Sequence, residues 1–319
     1  MTLKLRSMPV LLLAVAVLFL SVAPGALAEE TWRVGTWKTA QTIAPFFYQE
    51  FAPPGVTVKV FSFTNPADQK TALLAGSLDF CGTTLAHAIA SASREEPVVV
   101  VAALCNKCSA LVVKKDGPVN EVAHLAGKTI GYVPGTMHEI LLRETLTKNG
   151  LSPDRDVRLV RVDFFDMGTA LASGGIDAFL SGEPFPTLAR MQGTGRILAY
   201  PYYDDSVGTV NAGMLVTRKF LAEHPDTVAA LVRAHARATR HLEANPGPWL
   251  DAAAKFGTDR EVLSMASENM ELAWDMDQAF VGRVAALGGR MKALGIIERE
   301  PDYAGLVDLA FVRRATAGK

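Results

Sequence analysis

Short β-branched runs alternate with helical stretches along most of the chain, and no other feature limits the possible folds as much. From Thr31 the order is TWRVGTW, a helix over residues 42–51, TVKVFSF, a helix over 66–75, LDFCGT, a helix over 84–93, and PVVVVAAL. Parallel neighbours need a crossover between them, so this alternation predicts βαβ units rather than hairpins. After LVVKK the turn signal Asp116-Gly117-Pro118 closes a first block. A second block follows with KTIGYV, a helix over 137–148, VRLVRVDF, a helix over 167–173, IDAFLSG, a helix after Pro184, and RILAYPYY. NAGMLVTRKF then reads as a strand that leaves this block. From Lys219 onward the signals are helical, broken at His224-Pro225-Asp226, Asn245-Pro246-Gly247-Pro248 and Thr258-Asp259. The expectation is an α/β protein of two lobes, with the chain crossing near 115 and near 213. Lobe one takes residues 29–115 and 213–319, lobe two takes 116–212, and a helical C-terminal tail completes lobe one. Such a path leaves a cleft between the lobes.

Composition narrows the function classes. The 319 residues are 49% apolar and 20% charged, which excludes a disordered chain. Basic and acidic residues balance, 32 against 33, and no Lys/Arg run exceeds two residues, so nothing here would neutralise a row of phosphates. Nucleic acid is excluded as a partner on that ground. Residues 1–28 form a separate object: Lys4 and Arg6, an apolar run over 10–20, and Ala26-Leu27-Ala28 before two glutamates. That is the pattern of a cleaved secretory signal peptide, and the run is shorter than the roughly 20 residues needed to span a bilayer. The expected location is periplasmic. Cysteines number three, Cys81, Cys105 and Cys108. An odd count excludes a disulfide framework and leaves either a local Cys105–Cys108 bond or three free thiols.

Candidate function sits where strands run into helix caps. Asn65-Pro66 follows VFSF, Thr83-Thr84 follows LDFCG, Thr136 follows IGYVPG with Glu139 completing a capping box, and Asp166 and Glu183-Pro184 complete the series. In open α/β sheets ligands bind beyond the carboxyl ends of the strands, where these caps aim backbone N–H groups. Aromatic and polar residues cluster at the same ends: Trp37, Thr39 and Gln41, then Phe63, Phe164-Phe165 and Tyr202-Tyr203. That mixture suits a small-molecule cleft. Among the histidines, His124, His224, His235 and His241 read as surface or packing residues, whereas His87 points to the cleft if its helix begins at Thr84.

VGTWKTAQTIAPFFYQEF, GSLDFCGTT, LAGKTIGYVPGTMH, IDAFLSGEPF and the late MKALGII with PDY and LVD together resemble substrate-binding proteins of ABC importers. The group is the nitrate/sulfonate/taurine one, SsuA/TauA or NMT1-like. This resemblance implies a type II periplasmic-binding-protein fold, no catalysis and no cofactor. It further implies a monomer that captures a small polar or anionic organic solute (a sulfonate such as taurine, a pyrimidine or similar) by lobe closure and delivers it to a membrane permease. By position it assigns Trp37, Thr39, Gln41, Thr83, Thr84, the turn Pro134, Gly135, Thr136, Met137, His138, and Ser181 and Glu183 to the cleft. The sequence departs from relatives at LCNKCSAL, which adds Cys105 and Cys108 to the candidates. Glu183 also sets a carboxylate where an oxyanion would bind, favouring a ligand with an amine or ring N–H. Three alternatives stay open. Cys81, Cys105 and Cys108 with Met137 and His138 make a candidate soft-metal or metalloid site. Pyrimidine-synthase-like chemistry through His87 or His138 is opposed by the export signal and by the absence of G-x-S-x-G, H-E-x-x-H, phosphate-loop and dinucleotide motifs. A receptor serving a sensor kinase would share the fold.

Overall fold

A computed structural model describes residues 30–204 and 206–317; the signal segment expected over residues 1–28 lies outside the described residues. The strands are β1 (Glu30–Trp37), β2 (Val56–Phe63), β3 (Phe80–Thr84), β4 (Val98–Cys105), β5 (Ser109–Lys114), β6 (Thr129–Tyr132), β7 (Arg158–Arg161), β8 (Ala178–Gly182), β9 (Gly195–Ala199) and β10 (Ala212–Thr217). Two sheets of the same plan result, β2-β1-β3-β10-β4 and β7-β6-β8-β5-β9. In each, one strand runs antiparallel to both neighbours: β10 in the first sheet and β5 in the second. Each lobe therefore receives its antiparallel strand from the chain as it crosses over.

That plan moves the first crossing. LVVKK, expected to end the first block, is β5 and pairs with β8 and β9 in the second sheet. The chain thus crosses between Cys105 and Ser109, not near 115. Asp116-Gly117-Pro118 follows a strand, and the apolar centre of that strand, Ala110 to Val113, carries no mark of the sheet it will join. The return crossing precedes β10, which begins at Ala212.

Helices cover both sheets: α1 (Pro66–Leu74), α2 (Leu85–Ser93), α3 (Met137–Lys148), α4 (Met167–Ala172) and α5 (Phe185–Met191) follow the strands; α6 (Arg218–Glu223), α7 (Pro225–Ala244), α8 (Pro246–Ala254), α9 (Arg260–Ala266), α10 (Gln278–Ala293), α11 (Tyr303–Leu306) and α12 (Ala310–Ala317) form the C-terminal part. The helix expected over 42–51 is instead two 3-10 stretches, Ala40–Thr42 and Ala44–Glu50. Thr36 Oγ1 donates to the Thr42 carbonyl at 2.6 Å, taking the acceptor an α-helix would use, and Pro45 supplies no N–H. Period-two alternation is plain in the second sheet. Leu111, Val113, Ala178 and Leu180 face the main core, while Val112 and Phe179 face a smaller one with Met167, Leu171 and Ile176.

The C-terminal helices are more than an addition to lobe one. Trp249 Nε1 on α8 donates to Ala40 O at 2.6 Å, and α9 packs on α5 of lobe two. The chain then returns beside β4, with Ala273 N donating to Leu104 O at 3.1 Å and Ala103 N to Trp274 O at 3.2 Å. On α10, Arg290 reaches Glu144 of α3 and Asp204 of the second crossing, both at 2.6 Å.

Candidate ligand-binding site

Strand ends from both lobes converge on one cleft lined by Trp37, Thr39, Gln41, Thr64, Thr84, Cys105, Cys108, His138, Phe164, Phe165, Gly182, Glu183, Phe185 and Asn211, with about 460 Å³ of space out to its mouth. From lobe one, the first loop brings Trp37, Thr39 and Gln41. Gln41 Nε2 crosses the cleft to donate to Glu183 O at 2.8 Å. Thr84 ends β3 and caps α2, its Oγ1 accepting from His87 N at 3.2 Å.

Lobe two supplies an aromatic wall and a carboxyl. Phe164 and Phe185 lie parallel, 6.2 Å between ring centres and 4° between planes, and Phe165 meets Phe185 edge-on at 4.9 Å. His138 stands perpendicular to Phe164 at 5.7 Å, and its Nδ1 lies 3.1 Å from Ser109 Oγ. Burial lowers the His138 pKa to about 4, so the ring is neutral at pH 7. Glu183 is 1% exposed. Its Oε2 accepts from Thr187 N at 3.1 Å, capping α5 from outside the helix, while Oε1 has no hydrogen-bond partner. Burial raises the pKa of this carboxyl, against the opposing pull of Thr187. Buried Trp37 Nε1 and Gln41 Oε1 likewise have no partner. Among the lining residues there is no Lys or Arg.

The other expected site residues face elsewhere. Thr83 Oγ1 donates to Pro66 O at 3.3 Å, tying β3 to α1. Ser181 lies within β8, fully buried, with its hydroxyl turned to Gly182 O. Thr136 does cap α3, with Glu139 Oε2 accepting from Gly135 N at 2.7 Å, but that capping box serves the helix. The Met137 carbonyl accepts from Tyr203 OH at 3.0 Å behind the cleft, and Pro134 is exposed. Gly135 meets lobe one rather than the cavity: a Cβ there would lie 2.8 Å from His87 Nε2.

Three free, buried thiols are present, and they do not come together. Leu215 of β10 pairs with Cys81, and Ala212 pairs with both Thr84 and Cys105. Cys81 therefore sits three positions back from the sheet edge, about 10 Å along the strand. Among the described residues no group of three His, Cys, Asp or Glu side chains is placed to hold a metal ion. The soft-metal site expected from Cys81, Cys105 and Cys108 is not assembled among the described residues. Cys105 and Cys108 line the cleft as thiols. Burial and the nearby Glu183 raise the pKa of Cys108 to about 12, and its Sγ accepts from Asn211 Nδ2 at 3.2 Å.

Thr64, Phe185 and Asn211 line the cleft without having been singled out in the sequence, whereas Gly182 lies in the expected Ser181–Glu183 turn. Phe185 directly follows the Glu183-Pro184 signal. Asn211 precedes β10 at a crossing and had no local signal.

The NMT1/THI5-like family profile matches residues 48–248. The chain belongs to the NMT1/THI5-like family. Among curated relatives it is 26% identical over 226 residues to the 4-amino-5-hydroxymethyl-2-methylpyrimidine phosphate synthase of Schizosaccharomyces pombe, covering 66% of this chain and 64% of that one. A binding protein of Brucella abortus is 30% identical over 213 residues, 65% of this chain and 64% of the relative. The match thus spans about two thirds of the length of these relatives. Among solved structures, the alkanesulfonate-binding protein SsuA from Xanthomonas axonopodis pv. citri superposes with a TM-score of 0.77 at 19% identity, covering 89% of this chain and 99% of that one. The fold is the two-lobed periplasmic-binding-protein fold, with the cleft between the lobes and C-terminal helices.

Proposed function

We propose that this protein is an extracytoplasmic solute-binding protein of an ABC importer, and that its solute is a small flat organic molecule bearing N–H donors. The observation that carries this reading is the imbalance of hydrogen-bonding groups in the cleft. Two buried acceptors, Glu183 Oε1 and Gln41 Oε1, stand without partners against one buried donor, Trp37 Nε1, and no cationic side chain lines the space. A sulfonate or nitrate supplies acceptors only, so it would leave both acceptors unpaired and its own charge uncompensated. An aminopyrimidine supplies amine hydrogens for the acceptors and a flat ring for Phe164, Phe165 and Phe185. The fission-yeast relative is named for making an aminopyrimidine phosphate, which supports that ligand class.

Capture follows from the placement of the groups. A ligand touching Gln41 and Trp37 on one lobe and Glu183 and Phe185 on the other favours the arrangement in which the lobes meet, and a permease would read that arrangement. Binding rather than catalysis is supported by Cys108, because a thiol with its pKa raised to about 12 is the reverse of an activated nucleophile. The test is calorimetry and thermal shift of the mature protein with 4-aminopyrimidines, alkanesulfonates and nitrate. Aminopyrimidine binding should raise stability by about 2.7 kcal/mol at 100 times the dissociation constant, and Glu183→Ala should weaken binding at least tenfold. Tight binding of nitrate or a sulfonate with no response to aminopyrimidines would overturn the ligand class.

A further inference from the structure

His138 lines the cleft with an imidazole, and the nitrogen that carries its hydrogen decides what this wall offers a solute. The Nδ1 atom lies 3.1 Å from Ser109 Oγ, and among the described residues that hydroxyl has no other hydrogen-bond partner. Ser109 is buried. Its single hydrogen therefore goes to Nδ1, because the reverse arrangement, Nδ1–H donating to Oγ, would bury a hydroxyl hydrogen with no acceptor. A neutral ring that accepts at Nδ1 carries its own hydrogen on Nε2. Nε2 sits beside Gly182 and Cys108, two further lining residues: a Cβ on Gly182 would lie 2.9 Å from it and 3.1 Å from Cys108 Sγ. Among the described residues nothing accepts a hydrogen bond from Nε2. His138 thus adds an unpaired N–H donor to the cleft.

Ser109 itself is not among the lining residues, and it is held from several directions. It opens β5 and pairs with Gly182 of β8. Its N donates to Tyr202 OH at 3.2 Å, its carbonyl accepts from Asn269 Nδ2 at 3.2 Å, and Tyr202 OH donates to Asn269 Oδ1 at 2.5 Å. Both chain crossings and the segment after α9 meet at this residue, which fixes the hydroxyl against the ring. We propose that Ser109 determines specificity from outside the cleft: by donating to His138 Nδ1 it keeps the imidazole hydrogen on Nε2, and the solute must meet that donor with an acceptor such as a ring nitrogen. The inference deepens the aminopyrimidine reading and rests on it for the identity of the ligand. A flat amine without the acceptor would leave Nε2–H unpaired in a buried site, and such a loss is what discriminates between otherwise similar molecules. Ser109 acts through His138 and is a positioning residue.

Imidazole nitrogen NMR of the ligand-free mature protein at pH 8 tests the assignment without any ligand, since a histidine of even the ordinary pKa of about 6.5 is neutral there. The His138 signals, recognised by their loss in His138→Gln, should place the hydrogen on Nε2. Ser109→Ala should give a mixture of the two tautomers, and Ser109→Thr, which keeps the hydroxyl, should restore the wild-type pattern. In calorimetry 4-aminopyrimidine should bind at least tenfold more tightly than aniline, which has the amine but no ring nitrogen, and Ser109→Ala should cut that preference about threefold. A wild-type hydrogen on Nδ1 overturns the proposal, as does Ser109→Ala that leaves both the tautomer and the preference unchanged. The two readings fail separately. If neither amine binds while the hydrogen sits on Nε2 and responds to Ser109→Ala, the ligand class alone is overturned; if both amines bind equally well, the specificity role of Ser109 is overturned alone.

Discussion

Gly182 shows how narrowly single residues set this cleft. A Cβ there would lie 2.9 Å from His138 Nε2 and 3.1 Å from Cys108 Sγ, both held by their own hydrogen bonds to Ser109 and Asn211. Gly182→Ala should therefore cost at least tenfold in ligand affinity and about 1–2 kcal/mol in stability, read by calorimetry and by urea unfolding. Either effect without the other would show that the methyl group is accommodated on one side only. The cysteines give a second expectation at this scale. Burial raises all three thiol pKa values, and thiolates are what react with disulfide reagents. An aromatic disulfide reagent should find no reactive thiol in the native protein at pH 8 and three in denaturant. Two missing thiols in the denatured count would mean a Cys105–Cys108 bond.

Elements here are started by side chains that also shape the cleft. Thr84 caps α2 and lines the cavity, and Glu183 lines it too and caps α5 through Thr187 N, while its other oxygen is buried without a partner. Thr84→Ala should destabilise the fold by about 1 kcal/mol, and Thr84→Ser should restore most of that because the capping oxygen returns. Equal losses for both variants would mean that the threonine methyl, not the cap, matters. Between elements, Arg290 of α10 bridges Glu144 on α3 and Asp204, and its guanidinium lies 5.5 Å from the Tyr203 ring centre. Glu144 is 12% exposed, so Arg290→Met leaves a mostly buried carboxylate without its main partner. A loss of about 2 kcal/mol is expected, and Glu144→Gln in the same chain should recover part of it. Additive losses would show that the two groups do not interact.

At the scale of the whole molecule, buried neutral imidazoles set the acid limit. His138 and His235 are both buried with pKa values lowered to about 4 by desolvation; His235 is held by Tyr48 OH at 2.9 Å and Ala103 O at 2.7 Å. The unfolded chain titrates these rings near pH 6.5, so below that value it binds more protons than the native state. Stability is complete above pH 6.5 and declines as pH falls to about 4. The loss is about 1 kcal/mol per ring by pH 5.5 and about 3 kcal/mol per ring by pH 4. Urea midpoints at pH 7.5, 5.5 and 4.5 measure this directly, and His235→Gln should flatten the profile by one ring's share. An unchanged profile would mean that His235 is protonated in the native state.

What the sequence determined by itself was local. β-branched runs, proline and threonine caps and the period of apolar residues marked most strands and helices, and the caps pointed to Thr84 and Glu183 because a strand end and a helix start are written within a few residues of each other, while Trp37, Thr39 and Gln41 stood out as an aromatic and polar cluster at a strand end and His138 entered through the family resemblance. Tertiary structure decided whatever depends on register and on which sheet a strand joins. β5 lies in lobe two, Cys81 falls three positions short of Cys105, Asn211 and Phe185 enter the cleft, and α9 reaches back to lobe two. An apolar strand buries equally well in either sheet, and a one-residue slip turns every side chain to the other face, so these outcomes rest on contacts between distant segments.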